Sequence, residues 1–147
     1  MAKQLCKKLS DQFNIPFYEL DNVVCKRSDT GDIKRTEKER NSYLNKIVTS
    51  KKWIIEGVHH KWVSQSFHKA DVILFLDIRI STRRVRIIKR FLKQKMGIKP
   101  AKYNPTFKLL KFLYSYNSIF EYKSKPEIFS ILKPYMNKVI IIQINNT

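Results

Sequence analysis

Apolar positions along this chain follow two rhythms, and the alternation between them predicts an α/β fold. Leu5, Leu9 and Phe13 recur at helical spacing with Pro16 just beyond, so a first helix is expected to end near Asn14. The run 17–20 then reads as a short strand closing on Asp21. Residues 26–34 are polar and turn-like, with Ser28, Asp29, Gly31 and Asp32. Thr36 and Glu39 have capping-box spacing, and the helix they open, reaching Ser50, carries Tyr43, Leu44, Ile47 and Val48 on one side. Runs 53–56, 70–77 and 138–144 are apolar almost throughout, as expected of buried strands. Between them lie a short helix over 60–68 and a basic helix capped by Ser81 and ended past Met96 by Gly97 and Pro100. Two further helices cover 105–122 and 126–135. Strands alternating with helices predict a mostly parallel sheet covered on both faces, a doubly wound three-layer α/β/α sandwich. No repeat or linker interrupts residues 1–147, so a single domain is expected.

Composition narrows the classes. At 147 residues with 43% hydrophobic content the chain can build one core, and no apolar run approaches the roughly 18–20 residues that cross a bilayer. No signal peptide is evident, so the expectation is a cytoplasmic protein with no membrane partner. Cys6 and Cys25 lack metal or redox spacing, and Cys6 lies on the apolar face of the first helix, where core packing is its expected role. The net charge of +18 points toward polyanions. Twenty-two of the thirty basic residues are lysines scattered along the chain, which predicts loose, non-specific nucleic-acid association in place of a built site.

Ligands of a doubly wound sheet bind beyond the carboxyl ends of its strands. The sequence puts Asp21, Glu56 with Gly57, and Asp77 at those ends. Carboxylates there suit the water shell of a magnesium-nucleotide complex, although each also fits an ordinary turn or cap. Arg83, Arg86 and Arg90 share one helix face at i, i+3 and i+7, either converging on phosphates or forming a solvated basic face. His59, His60 and His68 lack the spacing of a metal site. Phe107, Phe112, Tyr114, Tyr116, Phe120 and Tyr122 could stack bases, but their helical spacing favours core packing. Gly31, Gly57 and Gly97 are the only glycines, and none precedes Lys-Ser or Lys-Thr, so no Walker A loop can be written in these residues.

The pattern of 17–21, 53–57 and 70–77, followed by Arg83, Arg84, Arg86, Lys89 and Arg90, resembles the bacterial DNA topology modulation proteins, adenylate-kinase-like P-loop ATPases. The likeness runs over nearly the whole chain and implies a P-loop NTPase fold of the nucleoside and nucleotide kinase type. It implies ATP and Mg2+ as cofactors, and ATP-dependent phosphoryl transfer or hydrolysis with an unknown small acceptor. By the same resemblance Glu56 would orient the magnesium waters, Asp21 and Gly57 would face the acceptor substrate, and Arg83, Arg86 and Arg90 would be lid arginines that stabilise the transferring phosphoryl group. Family members carry a strand and a Walker A loop before a helix like residues 2–9, and a helix after a strand like 139–144. Both ends are therefore expected to be clipped, with the first strand and P-loop missing and turnover impaired. Where related kinases have D-G-x-P-R, residues 56–60 read E-G-V-H-H, which removes a phosphate-binding arginine and argues against strict adenylate kinase activity. The rival readings are a basic DNA-associated protein without catalysis and a non-functional fragment.

Overall fold

The computed structural model describes residues 2–28, 31–100 and 105–144. Its first helix, α1 (Ala2–Phe13), ends where the sequence predicts, because Asn14 takes a left-handed conformation at φ 52°. The Ser10 hydroxyl closes the turn by donating to the Ile15 carbonyl at 2.6 Å. The apolar rhythm outruns the covered face: Leu5, Cys6 and Leu9 are half-buried, while Phe13 is exposed. Cys6 is therefore not a core residue.

The chain's architecture is α/β, with its strands paired in two-stranded ladders. β1 (Phe17–Glu19) lies parallel to β4 (Ile54–Glu56), in the register Phe17↔Ile54, Tyr18↔Ile55 and Glu19↔Glu56. β1 stops one residue before the predicted end. Leu20 and Val23 form instead the buried face of a short helix, α2 (Leu20–Val24), because i, i+3 spacing puts both in the core. The predicted turn over 26–34 contains an antiparallel pair, β2 (Cys25–Lys26) with β3 (Ile33–Lys34); Asp29 lies outside the described residues.

The capping box forms as read: Thr36 Oγ1 accepts from the Glu39 amide, and Glu39 Oε2 accepts from the Thr36 amide at 2.8 Å. The helix it opens, α3 (Glu37–Val48), buries Leu44, Ile47 and Val48 with Leu20, Val23 and Val63, and Tyr18, Trp53, Ile55, Trp62 and Phe67 pack around them. Tyr43 is left partly exposed beneath the Arg35 guanidinium, 4.9 Å from its ring centre. The short helix over 60–68 is realised later, as α4 (Ser64–Lys69). These elements form one compact unit, Met1–Ile73.

A second compact unit, Leu74–Thr147, takes in most of β5 (Ile73–Ile78), which pairs with β6 (Val139–Ile144). Neither is a fully buried strand. Leu74, Ile140 and Ile141 are exposed, since a two-stranded ladder does not offer a covering layer to every apolar side chain. α5 (Ile80–Lys95) begins at Arg79 without a side-chain cap, so Ser81 sits inside the first turn and does not cap it. Its end is a Schellman motif: Gly97 takes φ 72°, Ile98 N donates to the Lys93 carbonyl at 2.9 Å, and Gly97 N donates to that of Gln94 at 3.1 Å.

The helices predicted over 105–122 and 126–135 are one continuous helical run. α6 (Phe107–Ile119) is capped by Thr106, passes through a π-helical turn at Phe120–Ser124, and continues as α7 (Lys125–Leu132). Pro126 has no amide hydrogen to donate and its ring crowds the preceding turn, and the wider turn accommodates it without breaking the helix. A 3-10 segment, Lys133–Lys138, carries Pro134 into β6. Among the described residues, Phe91, Ile128 and Leu132 are the buried apolar side chains here, and buried Asn117 donates to the Ile80 carbonyl at 3.5 Å.

Candidate functional site

Parallel pairing at equal register does the main work in the first unit. Phe17, Tyr18 and Glu19 lie beside Ile54, Ile55 and Glu56, so each strand delivers a glutamate to its carboxyl end. Adjacent strands stand about 4.8 Å apart, which puts Glu19 and Glu56 on the same face within Coulomb reach. Asp21 follows in the first turn of α2. Burial, then the charges of Glu19 and Asp21, hold the Glu56 carboxyl above the ordinary carboxylate range, while Lys3 pulls it the other way.

Lys3 Nζ lies 2.8 Å from Glu19 Oε1, and His59 Nε2 lies 3.4 Å from Asp21 Oδ1. The His59 ring in turn leans on Trp62, with centroids 5.5 Å apart. Burial, and then the Glu56 charge, push the Cys6 thiol above its usual value, which keeps it protonated and unreactive. Among the described residues no three His, Cys, Asp or Glu side chains gather closely enough to hold a metal directly. A hydrated cation, held through its waters, is what a pair of in-register carboxylates suits.

The sequence did not single out Glu19. Its signal was available in the repeated pattern of two apolar residues and a glutamate, at 17–19 and again at 54–56. Gly57 does belong to this edge, but its surroundings are packing: a Cβ there would come within 2.7 Å of the Leu20 Cβ. Glycine is what allows β4 to turn past α2.

The second unit holds a different constellation. Asp77, near the end of β5, accepts from Lys125 at 2.7 Å; Lys125 also lies 3.3 Å from Glu121, and Glu121 pairs with Arg83. The hydrogen bond that Lys125 donates to Asp77 is the main cause holding its ammonium above the ordinary pKa. Asp77 thus anchors α7 and caps no helix. A cleft of about 360 Å3 opens beside this cluster, between Asp77, Ile80, Glu121 and Gln143. No protein-family model, curated protein or solved structure matches this chain.

Of the three arginines on the predicted shared face, Arg83 is engaged by Glu121 and lies over the Phe120 ring at 4.7 Å. Arg86 is half-buried and Arg90 exposed, on the same uninterrupted helix. Arg84 covers Tyr114 at 4.4 Å and donates to Ser118 Oγ at 3.0 Å, locking α5 to α6. The acids Asp21 and Glu56 belong to the first unit and the arginines to the second.

The aromatic set departs from its expected role. Phe107, Phe112, Tyr114, Tyr116 and Tyr122 are exposed, and only Phe120 is half-buried. α6 carries apolar residues on nearly all sides, more than its neighbours can cover, so helical spacing alone could not say which would be buried. Charge is also less evenly spread than a scatter of lysines implies. Residues 74–147 hold sixteen Lys and Arg against three Asp and Glu, a net of +13 out of +18.

Proposed function

We propose that this is a P-loop nucleotide-kinase-like protein of the DNA topology modulation type, in a doubly wound α/β/α arrangement, whose parent activity is ATP-dependent phosphoryl transfer or hydrolysis. The observation that supports this reading best is the parallel β1–β4 pair, with Glu19 and Glu56 in register at its carboxyl end and Asp21 and Gly57 immediately after. That is where ligands of parallel α/β sheets bind. Glu56 would take the waters of a magnesium ion, and Asp21, at the exposed rim, would face the acceptor. Magnesium supplies charge neutralisation of nucleotide phosphates. Arg83, Arg86 and Arg90 remain the proposed phosphate arginines, with Arg83 released from Glu121 for that purpose.

The fit is incomplete in one respect. The three glycines form no loop, and no run of these residues offers the backbone cradle a triphosphate needs. The 147-residue polypeptide is therefore expected to bind ATP weakly and to turn it over negligibly. The test is a fluorescent-ATP titration with and without Mg2+ on the wild type, Glu56→Gln and Asp21→Asn. Magnesium-dependent binding that either substitution weakens supports the reading. Binding that magnesium does not strengthen and that neither substitution weakens overturns it, whereas a clear stoichiometric ATPase rate overturns only the expectation of negligible turnover. In the first of those cases, polyanion association without catalysis, which the +13 charge of the second unit favours, takes its place.

A further inference from the structure

α5 has two faces at work. One packs through Phe91 and Arg84 against α6. The other carries Val85, Ile88, Leu92 and Met96, spaced by three, four and four residues so that they fall in one narrow stripe. They are 48%, 42%, 48% and 64% exposed, and Ile98, at the Schellman turn, extends the stripe at 64%. The stripe is on the order of 16 Å long at 1.5 Å per residue. α5 also carries Arg83, Arg84, Arg86, Lys89, Arg90, Lys93 and Lys95 and no acid. Lys89 and Lys93 border the stripe on one side and Lys95 on the other. Lys95 lies over the ring of Phe107, itself 68% exposed, at 4.4 Å.

We propose that this face of α5 is a docking surface for an anionic lipid bilayer, on which the helix lies in the plane of the headgroups. The charge pattern and the apolar pattern together select that occupant. A second copy of the chain would bring the same cations with no acids on the matching face, and the two helices would repel. Nucleic acid would answer the cations but gain nothing from Val85, Ile88, Leu92, Met96 and Ile98, which have no aromatic face on which a base can stack. An anionic leaflet satisfies both: the aliphatic stripe enters the acyl boundary while the lysine stems reach back to the headgroups. The sequence expectation of no membrane partner rested on the absence of a spanning run. No helix of the described residues is long and apolar enough to cross a membrane, but lying on one needs only an amphipathic face. The proposal is independent of the nucleotide reading.

The test is flotation of the 147-residue protein with phosphatidylcholine vesicles, with and without phosphatidylserine, at two salt concentrations. Wild type is expected to bind only the serine-containing vesicles. Ile88→Ser with Leu92→Ser, which keeps every cation, should weaken that binding by about tenfold or more. Lys89→Gln and Lys93→Gln should each weaken it about fivefold. The substituted side chains are exposed, and an unchanged thermal transition confirms that each variant folds. Vesicle binding that survives the aliphatic double substitution overturns the proposal, as does equal binding to both vesicle types. So does a dimer in solution that the same double substitution dissociates, or single-stranded RNA binding that outcompetes the vesicles and depends on Ile88 and Leu92.

Discussion

Gly57→Ala tests why a glycine follows β4. A Cβ at that position would stand 2.7 Å from the Leu20 Cβ, 3.0 Å from its Cδ1 and 3.1 Å from its Cγ. Apolar carbons rest at about 3.5–4.0 Å, so the closest approach is short by roughly 0.8 Å. Leu20 is 3% exposed and held among Val23, Leu44 and Ile47, and its Cβ is fixed to the backbone of α2 and cannot swing aside. The strain is expected to cost about 1–3 kcal/mol, as overpacking of a filled core does. It also reaches the acid edge, because Glu19 precedes Leu20 and Glu56 precedes Gly57: any relaxation that separates the glycine from the leucine moves the two carboxylates.

The assay is urea denaturation of wild type, Gly57→Ala, Leu20→Ala and the double variant, followed by circular dichroism and by the fluorescence of Trp53 and Trp62. Coincident transitions justify a two-state treatment of this unit. Leu20→Ala alone should cost about 2–5 kcal/mol. It removes the Cγ and Cδ1 contacts but keeps the shortest one, so relief is partial. The double variant should be more stable than the sum of the singles by about 1 kcal/mol. A Gly57→Ala protein within about 0.5 kcal/mol of wild type, or strict additivity, would refute the packing role and return Gly57 to a purely ligand-facing one.

Two more predictions concern local chemistry. Thr36→Ala removes the acceptor for the Glu39 amide and should destabilise the first unit by about 1 kcal/mol, read as a lowered urea midpoint. Glu56→Gln should change the pH profile. The Glu56 carboxyl is raised by burial and by Glu19 and Asp21, so its contribution to stability is full below the ordinary glutamate pKa and is lost as pH rises through the raised value. The glutamine variant should therefore gain on wild type as pH increases from about 4 to about 7, and parallel urea midpoints across that window would contradict the sign. Nucleotide titration and vesicle flotation, with the outcomes stated above, complete the set.

Signals that act within a few residues could be read from the chain. The Thr36–Glu39 box, the end of α1 at Asn14 and the Gly97 stop each depend on one or two side chains and a local backbone conformation, and all three formed where predicted. Signals that need to know what lies across the gap failed. Leu20 reads as the end of a strand, yet burial with Val23 makes it helical. Pro126 reads as a helix start, yet a π-helical turn carries the helix through it. The aromatics of α6 and the isoleucines of β6 read as core because they are apolar and periodic, and periodicity does not say whether a neighbour exists to cover them. Asp21 and Glu56 were legible as strand-end acids. Glu19 was not, because its importance comes from register with Glu56, and register is a property of two strands.

The division of charge decides how the nucleotide experiment must be read. Two of the three acids in residues 74–147, Asp77 and Glu121, are already taken by Lys125 and Arg83, so neither is left to offset the other cations of α5. ATP is itself a polyanion, and a surface of that sign will attract it whether or not a kinase-like site exists. Affinity alone therefore carries no weight, and salt will weaken both kinds of binding. What separates them is the sign of the magnesium effect. Magnesium neutralises phosphate charge and should weaken association with the cationic second unit. At the proposed site, the carboxyl ends of β1 and β4, the same ion would relieve the repulsion among Glu19, Asp21 and Glu56, and should strengthen binding. Glu56→Gln removes one of the carboxylates that call for the ion and leaves every lysine and arginine in place. A magnesium enhancement that disappears in that variant belongs to the acid edge, and a magnesium inhibition that persists in it belongs to the basic surface.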